Sequence, residues 1–103
     1  MSYTNLDIYN ISFKLFIETH PLTFKLPKRE LYELGSQLRR SSDSVVTNIA
    51  EGYGRKNYKG EFIRFLVYSQ GNCDETVSHL SKLAILYPEL NADFQNKVEQ
   101  YNF

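Results

Sequence analysis

The sequence predicts an all-α protein, an antiparallel, left-handed four-helix bundle of up-down-up-down order, and three observations lead there. Phe62, Leu66, Ser69, Cys73, Thr76, Leu80, Leu83 and Tyr87 follow one another at alternating spacings of four and three without a slip. That is the seam of a long helix packed lengthwise on its neighbours. Proline and clustered glycine fall at His20-Pro21, Leu26-Pro27, Gly52 to Gly60 and Pro88, which divides the chain into four helical stretches. The β-branched residues are scattered and no period-two run exceeds a few residues, so strands have no support.

The first stretch, about residues 4–19, carries Leu6, Ile8, Ile11, Phe13, Leu15, Phe16 and Ile17 as its apolar residues. The second, about 27–53, opens on Pro27, since proline suits a first helical turn, and its seam is Leu31, Leu34, Leu38, Val45 and Ile49. The third, about 59–87, bears the long seam. At 1.5 Å per residue the third helix is roughly 43 Å long and the second roughly 40 Å. Two such helices joined by a tight glycine-bearing turn lie antiparallel, with the first and fourth covering their apolar faces. The fourth, about 91–103, reaches only roughly 20 Å and cannot cover its neighbours along their full length. Either the chain stops early, or apolar surface is left open for another subunit; the terminal Tyr101 and Phe103 suit both accounts.

The 103 residues fit one domain, residues 1–103, with 42% hydrophobic and 23% charged residues, ordinary values for a globular protein. The longest apolar stretches are four or five residues, against the ~20 needed to span a bilayer, so no membrane association is expected. The opening MSYTNLDIYN has neither a basic segment nor an apolar one of secretory type. A single cysteine forms no internal disulfide, and a reducing cytoplasm is its simplest setting. Net charge is zero. Yet between Lys25 and Arg64 nine basic residues stand against five acidic ones, a local excess of +4 that can form a basic face or a solvated helix surface.

A polar stripe, Gln37, Ser41, Ser44, Asn48 and Glu51, runs along the second helix about 100° from its seam. Small hydroxyls and amides in place of lysine and glutamate point to a helix–helix contact, with Asn48 and Glu51 hydrogen-bonded to Arg39, Arg40 or Arg64. A cap and a turn closing the helix explain the same residues. Arg39 and Asp43 stand as an i,i+4 pair. Gln37, Ser44, Asn48, Glu51, Gly52 and Glu75 are the candidate packing or oligomer-interface residues.

Chemistry has little support. The run GYGRKNYKG follows no strand and lacks the lysine-hydroxyl pair of a phosphate loop. Its glycines are expected to allow positive φ at the end of the second helix. Glu75 and His79 share a helix face near Cys73 and Asp74, but His20 lies far off, so no metal is expected. Glu51 and Glu75 are the candidate acid pair across the bundle, yet no nucleophile with its base is evident, so neither catalytic residues nor a cofactor are predicted. Arg55, Lys56, Lys59 and Arg64 are interleaved with Tyr53 and Tyr58, a pattern in which cations reach phosphates and rings stack on unpaired bases. With Arg39 and Arg40 these four are the candidate nucleic-acid-binding residues.

QLRRSSDSVVTNIAEGYGR followed by EFIRFLVYSQGNCDE resembles the bacterial four-helix-bundle proteins encoded in intervening sequences of 23S rRNA genes. That family includes the accessory variability protein of diversity-generating retroelements. Its pattern is met by Gln37, Leu38, Arg39 and Arg40, by Ser44 and Asn48 to Gly52, by Gly54 and Arg55, and by Glu61 to Leu66. Gly71-Asn72 stands where the family usually has Gly-Ser, and the neutral charge departs from the basic retroelement members. The resemblance, which spans roughly Leu6 to Tyr87, implies a homo-oligomer, a pentameric ring in known relatives, and partners that include RNA or DNA and a reverse transcriptase. Two functions follow as expectations: a non-enzymatic oligomeric accessory that binds nucleic acid through a basic turn, or a protein-interaction scaffold with no affinity for nucleic acid.

Overall fold

In three places the helices depart from what the proline and glycine punctuation of the sequence leads one to expect. The computed structural model describes residues 2–102. Its helices are α1 (Asp7–Leu22), the single turn α2 (Lys28–Leu31), α3 (Leu34–Tyr53), α4 (Lys59–Leu86) and α5 (Asn91–Gln100). Short 3-10 turns stand at Tyr3–Asn5, Thr23–Lys25 and Pro88–Leu90, and there is no strand among the described residues. α1, α3, α4 and α5 form an all-α four-helix bundle with extents of 46 × 20 × 18 Å.

α1 runs three residues beyond the expected Thr19, through Pro21. In a last turn the ring removes one backbone hydrogen bond, and the Thr23 N–H and hydroxyl (2.7 Å) both donate to the His20 carbonyl instead. The expected single helix over 27–53 is broken at Tyr32–Glu33, where Glu33 has φ −103° and ψ −103°. Glu30 sets the break. Its carboxylate accepts the Leu34 N–H at 3.2 Å and the Tyr87 hydroxyl at 2.8 Å, pinning the turn to the end of α4. Arg39 donates to the freed Leu31 carbonyl at 3.0 Å and to the Thr23 hydroxyl at 2.8 Å. Those bonds take Arg39 away from the expected pairing with Asp43.

The third departure concerns glycine. Among the described glycines none has positive φ, and the chain leaves α3 through right-handed turn geometry at Gly54. Gly52 is needed for space: a Cβ there would stand 2.9 Å from the Phe65 Cβ and 3.4 Å from the Phe62 carbonyl. It is where α3 and α4 approach closely.

Leu15, Leu26, Leu38, Leu80, Leu83, Ala84, Phe94 and Tyr101 form the core cluster. Every position of the α4 seam is buried or half-buried, as the spacing predicts. The polar seam members are bonded: Thr76 meets the Ser41 hydroxyl at 2.8 Å, and Ser69 donates to the Val45 carbonyl at 2.7 Å. α1 is the exception to its apolar pattern. It faces the bundle with Ser12, Leu15 and Thr19, while Ile8, Ile11, Phe13 and Ile17 are exposed. Small hydroxyl residues let its backbone approach α3. Lys97 on α5 reaches Glu18 on α1 at 2.6 Å, which holds the Glu18 carboxyl below its ordinary range.

α5 runs back along α4 from Ala84, whose carbonyl accepts from Asn91 at 3.0 Å, to Cys73, which donates to the Tyr101 carbonyl at 3.5 Å. Burial pushes the Tyr101 phenol up to about 12, with Thr19 and Ser42 partly opposing. The N-terminal part of α4, from Lys59 to Asn72, therefore lies beyond α5, a length of roughly 20 Å.

His79 makes stability pH-dependent. The ring is buried, neither nitrogen has a hydrogen-bond partner among the described residues, and Glu75 is 3.9 Å away. Burial lowers its pKa from the ordinary 6.5, Glu75 partly opposing and Lys82 adding to the effect. A depressed histidine binds its proton more readily in the unfolded chain, so stability falls as pH drops through 6.5 toward the folded value. Melting followed by circular dichroism is expected to show a lower Tm at about pH 5.5 than at about pH 7.5, with the difference reduced in His79→Leu. An unchanged difference in the variant would contradict this assignment.

Candidate functional site

Two surfaces need an account, and both derive from the junction of α3 and α4. The first is the turn itself, residues 54–58, which ends α3 and starts α4 at one tip of the bundle. It brings Arg55, Lys56 and Lys59 together with Tyr53 and Tyr58, and Tyr58 is 71% exposed. The basic residues there are not equivalent. Arg55 donates to the Glu51 carboxylate and to the Glu51 carbonyl, both at 2.9 Å, with its guanidinium 4.6 Å from the centre of the Phe65 ring. Lys56 lies 4.4 Å over the Tyr53 ring and donates to its hydroxyl at 3.2 Å. Arg64 is paired with Glu61 at 2.6 Å. These exposed pairs contribute little stability each, about 0.5 kcal/mol, but they neutralise charge that a phosphate would otherwise meet.

Of the other predicted cationic residues, Arg39 is half-buried and holds the α2–α3 break, far along α3 from the turn. Arg40 and Lys59 are exposed, and neither makes an ion pair among the described residues. The six candidates therefore do not form one surface: Arg55, Lys56, Lys59 and Arg64 gather at the tip, while Arg39 and Arg40 lie more than three helical turns back from the end of α3, roughly 20 Å away.

The predicted packing residues divide as well. Gly52 is buried at the α3–α4 contact, and Ser44 and Asn48 are half-buried. Gln37, Glu51 and Glu75 are exposed. Glu51 takes its hydrogen bond from Arg55 one helical turn on, in place of Arg39, Arg40 or Arg64, because i,i+4 neighbours on a helix face one another. Glu51 and Glu75 do not form an acid pair. Gly52 beside Phe65 fixes the level of α3 against α4, and Glu75 stands ten residues further along, roughly 15 Å away. Among the described residues no group of three or more histidine, cysteine or carboxylate side chains is placed to hold a metal ion.

The second surface is the flank beyond the end of α5. Ile8 of α1, Val45 and Ile49 of α3, and Leu66, Ser69, Gln70 and Cys73 of α4 line a groove of 260 Å³ there. Ile63 and Val67, 50% and 57% exposed, extend its α4 side, and Ile8 is 41% exposed although it shares a helix face with buried Leu15, Ser12 and Thr19. Sequence reasoning gave open apolar surface as one of two accounts of the short fourth helix and did not name these residues as its members. The available signal was Ile63 and Val67, an i,i+4 apolar pair beside the α4 seam at the level the short fourth helix does not reach. Burial pushes the Cys73 thiol up, which suits a packed side chain at the groove's end.

The fold and these surfaces define a small helical-bundle protein whose candidate sites are an exposed turn and an open apolar flank. The family model described as 23S rRNA-intervening sequence protein matches residues 4–101. The chain belongs to that family. No curated protein matches it, and no helix among the described residues is long and apolar enough to cross a membrane.

Proposed function

We propose that the protein is a non-enzymatic assembly protein that self-associates through the flank beyond α5, in the homo-oligomeric manner the family resemblance implies. The observation that carries this reading is the solvent exposure of Ile8, Ile63 and Val67 around the open groove. A seam built for burial continues past the helix that covers it. Burying such side chains is worth roughly 1.5–3 kcal/mol each when complete. A formal charge of zero also leaves no long-range repulsion between copies. A closed ring of copies satisfies every flank, whatever its number of subunits, and a pentamer is the number the resemblance implies.

Ile63→Glu with Val67→Glu tests this. Both side chains are exposed, so the fold is expected to survive, with helicity and Tm close to wild type, while the mass by light scattering falls toward that of one chain. An unchanged mass would remove the flank from the assembly.

A second reading rests on the tip. Tyr58 is 71% exposed between Lys56 and Lys59, which supports stacking on unpaired bases beside phosphate contacts, multiplied if copies form a ring. Nucleic-acid binding, like association with a reverse transcriptase or another protein and a place in the cytoplasm, belongs to this proposal. Fluorescence anisotropy with labelled single-stranded RNA and duplex DNA is expected to give saturable binding that weakens steeply with salt and is reduced in Lys56→Gln with Lys59→Gln. No binding at ~50 mM salt would leave the protein as a scaffold alone.

A further inference from the structure

A third surface lies between the N-terminal 3-10 turn with α1 on one side and the second half of α3 on the other. Four rings, Tyr3, Tyr9, Phe13 and Phe16, face Asp43 and Glu51 across a cavity of 760 Å³, within the size range of small-ligand sites. Tyr3 and Tyr9 meet edge to face at 4.8 Å between centres, and Tyr9 and Phe13 are 5.9 Å apart at a tilt of 33°. The rings therefore stand at angles to one another and do not close over each other. Val46 and Ala50 supply an apolar floor. The same rings are part of what makes α1 apolar away from its bundle face, for which neither the core nor the open flank gives a reason.

The charges of the site are specific. Glu51 is neutralised by Arg55 at 2.9 Å. Asp43 is not neutralised. Its helical neighbour Arg39, one turn earlier, is held by the Thr23 hydroxyl and the Leu31 carbonyl. Asp43 makes no hydrogen bond or ion pair among the described residues. Among the described residues that line the cavity the charged side chains are Asp43, Glu51 and Arg55, which together carry one net negative charge. Ring faces add negative potential of their own.

We propose that this cavity binds an organic cation through its quaternary ammonium group, with the rings around the methyl groups and Asp43 as counter-ion. An aromatic wall attracts such a cation electrostatically while burying its apolar shell. A primary ammonium or a guanidinium would bring several N–H donors that each need an acceptor; the lining offers Asp43, the Thr47 hydroxyl and the two tyrosine hydroxyls, with Glu51 already held by Arg55, and the α1 side is otherwise aromatic. A quaternary ammonium brings no such donor. The same group occurs on free choline-type molecules and on trimethylated lysine side chains.

The test is a titration of the full chain with choline, read on the aromatic carbon–proton NMR signals. Its neutral isostere 3,3-dimethylbutan-1-ol and an amide of trimethyl-lysine serve as the other arms. Saturable shifts confined to Tyr3, Tyr9, Phe13 and Phe16 are expected with choline, with no matching response to the neutral isostere. Asp43→Asn, an exposed change that leaves the bundle intact, is expected to weaken binding by about three- to tenfold. The tighter of choline and trimethyl-lysine identifies the source of the group. Absence of saturable shifts, equal binding of the neutral isostere, or an unchanged Kd in Asp43→Asn would each overturn the proposal. So would ring signals that move with protein concentration and not with choline, since the cavity would then be a contact between copies.

Discussion

Replacing Leu80 with alanine is expected to remove about 3 kcal/mol of stability, a large effect for a single truncation. Leu80 is 0% exposed at the middle of the α4 seam, in one cluster with Leu38, Leu83 and Phe94. The loss combines the transfer free energy of the deleted methyl groups with the cavity left behind, which rigid neighbours on α3 and α5 cannot close. Domains of this size have about 5–15 kcal/mol in total, so Tm is expected to fall by roughly 10–20 °C. Urea unfolding measures the same change as a lower midpoint at constant m. A loss below about 1 kcal/mol would mean that Leu80 is not packed as described.

Gly52→Val is expected to follow closely, by the opposite mechanism. Glycine inside a helix costs about 1 kcal/mol relative to alanine, so a substitution there starts with a favourable contribution from the backbone. That gain is outweighed. The first added carbon already stands 2.9 Å from the Phe65 Cβ, an atom fixed to the α4 backbone, and the next neighbour is the Phe62 carbonyl. The helices must separate, at about 1–3 kcal/mol for overpacking and more for valine's two further methyl groups. Gly52→Ala should lose less than Gly52→Val, and Gly60→Ala, with open space around its added carbon, should not lose stability. A Gly52→Val protein as stable as wild type would contradict the close approach.

These two positions also show what was legible in the chain. Leu80 was assigned to the core from spacing alone, because a seam repeated over the length of α4 has one geometric solution. Gly52 was read both as a packing residue and as a helix end of positive φ; its φ is not positive, and the close neighbour that makes it a packing residue is Phe65, thirteen positions away on another helix. The break at Tyr32–Glu33 was hidden for a related cause. No proline or glycine marks it, and it is held by Glu30 to Tyr87 and by Arg39 to Thr23, contacts between residues distant in sequence. α1 was ambiguous because it is apolar on more than one side, so periodicity could not select the face. Packing selected Ser12, Leu15 and Thr19 and left the isoleucines and rings outside.

The candidate sites inherit that division. The basic turn was visible as composition, but its ion pairs became visible only once Glu51 and Arg55, and Glu61 and Arg64, were on the same helical faces. The open flank was one of two readings of the short fourth helix. Its members, Ile8 on α1 with Ile63 and Val67 on α4, come together only through the bundle. The aromatic cavity had no signal of its own, since Phe13 and Phe16 counted among the apolar residues of the first helix and Tyr3 and Tyr9 were not singled out.

Sedimentation velocity of the wild-type chain over a concentration series tests the central proposal most directly. Self-association through the flank predicts a species several times the 12.1 kDa of one chain, persisting on dilution to low micromolar concentration. A single species of one-chain mass up to about 100 µM would contradict it, because a flank of this apolarity that drives assembly gives a Kd well below that concentration.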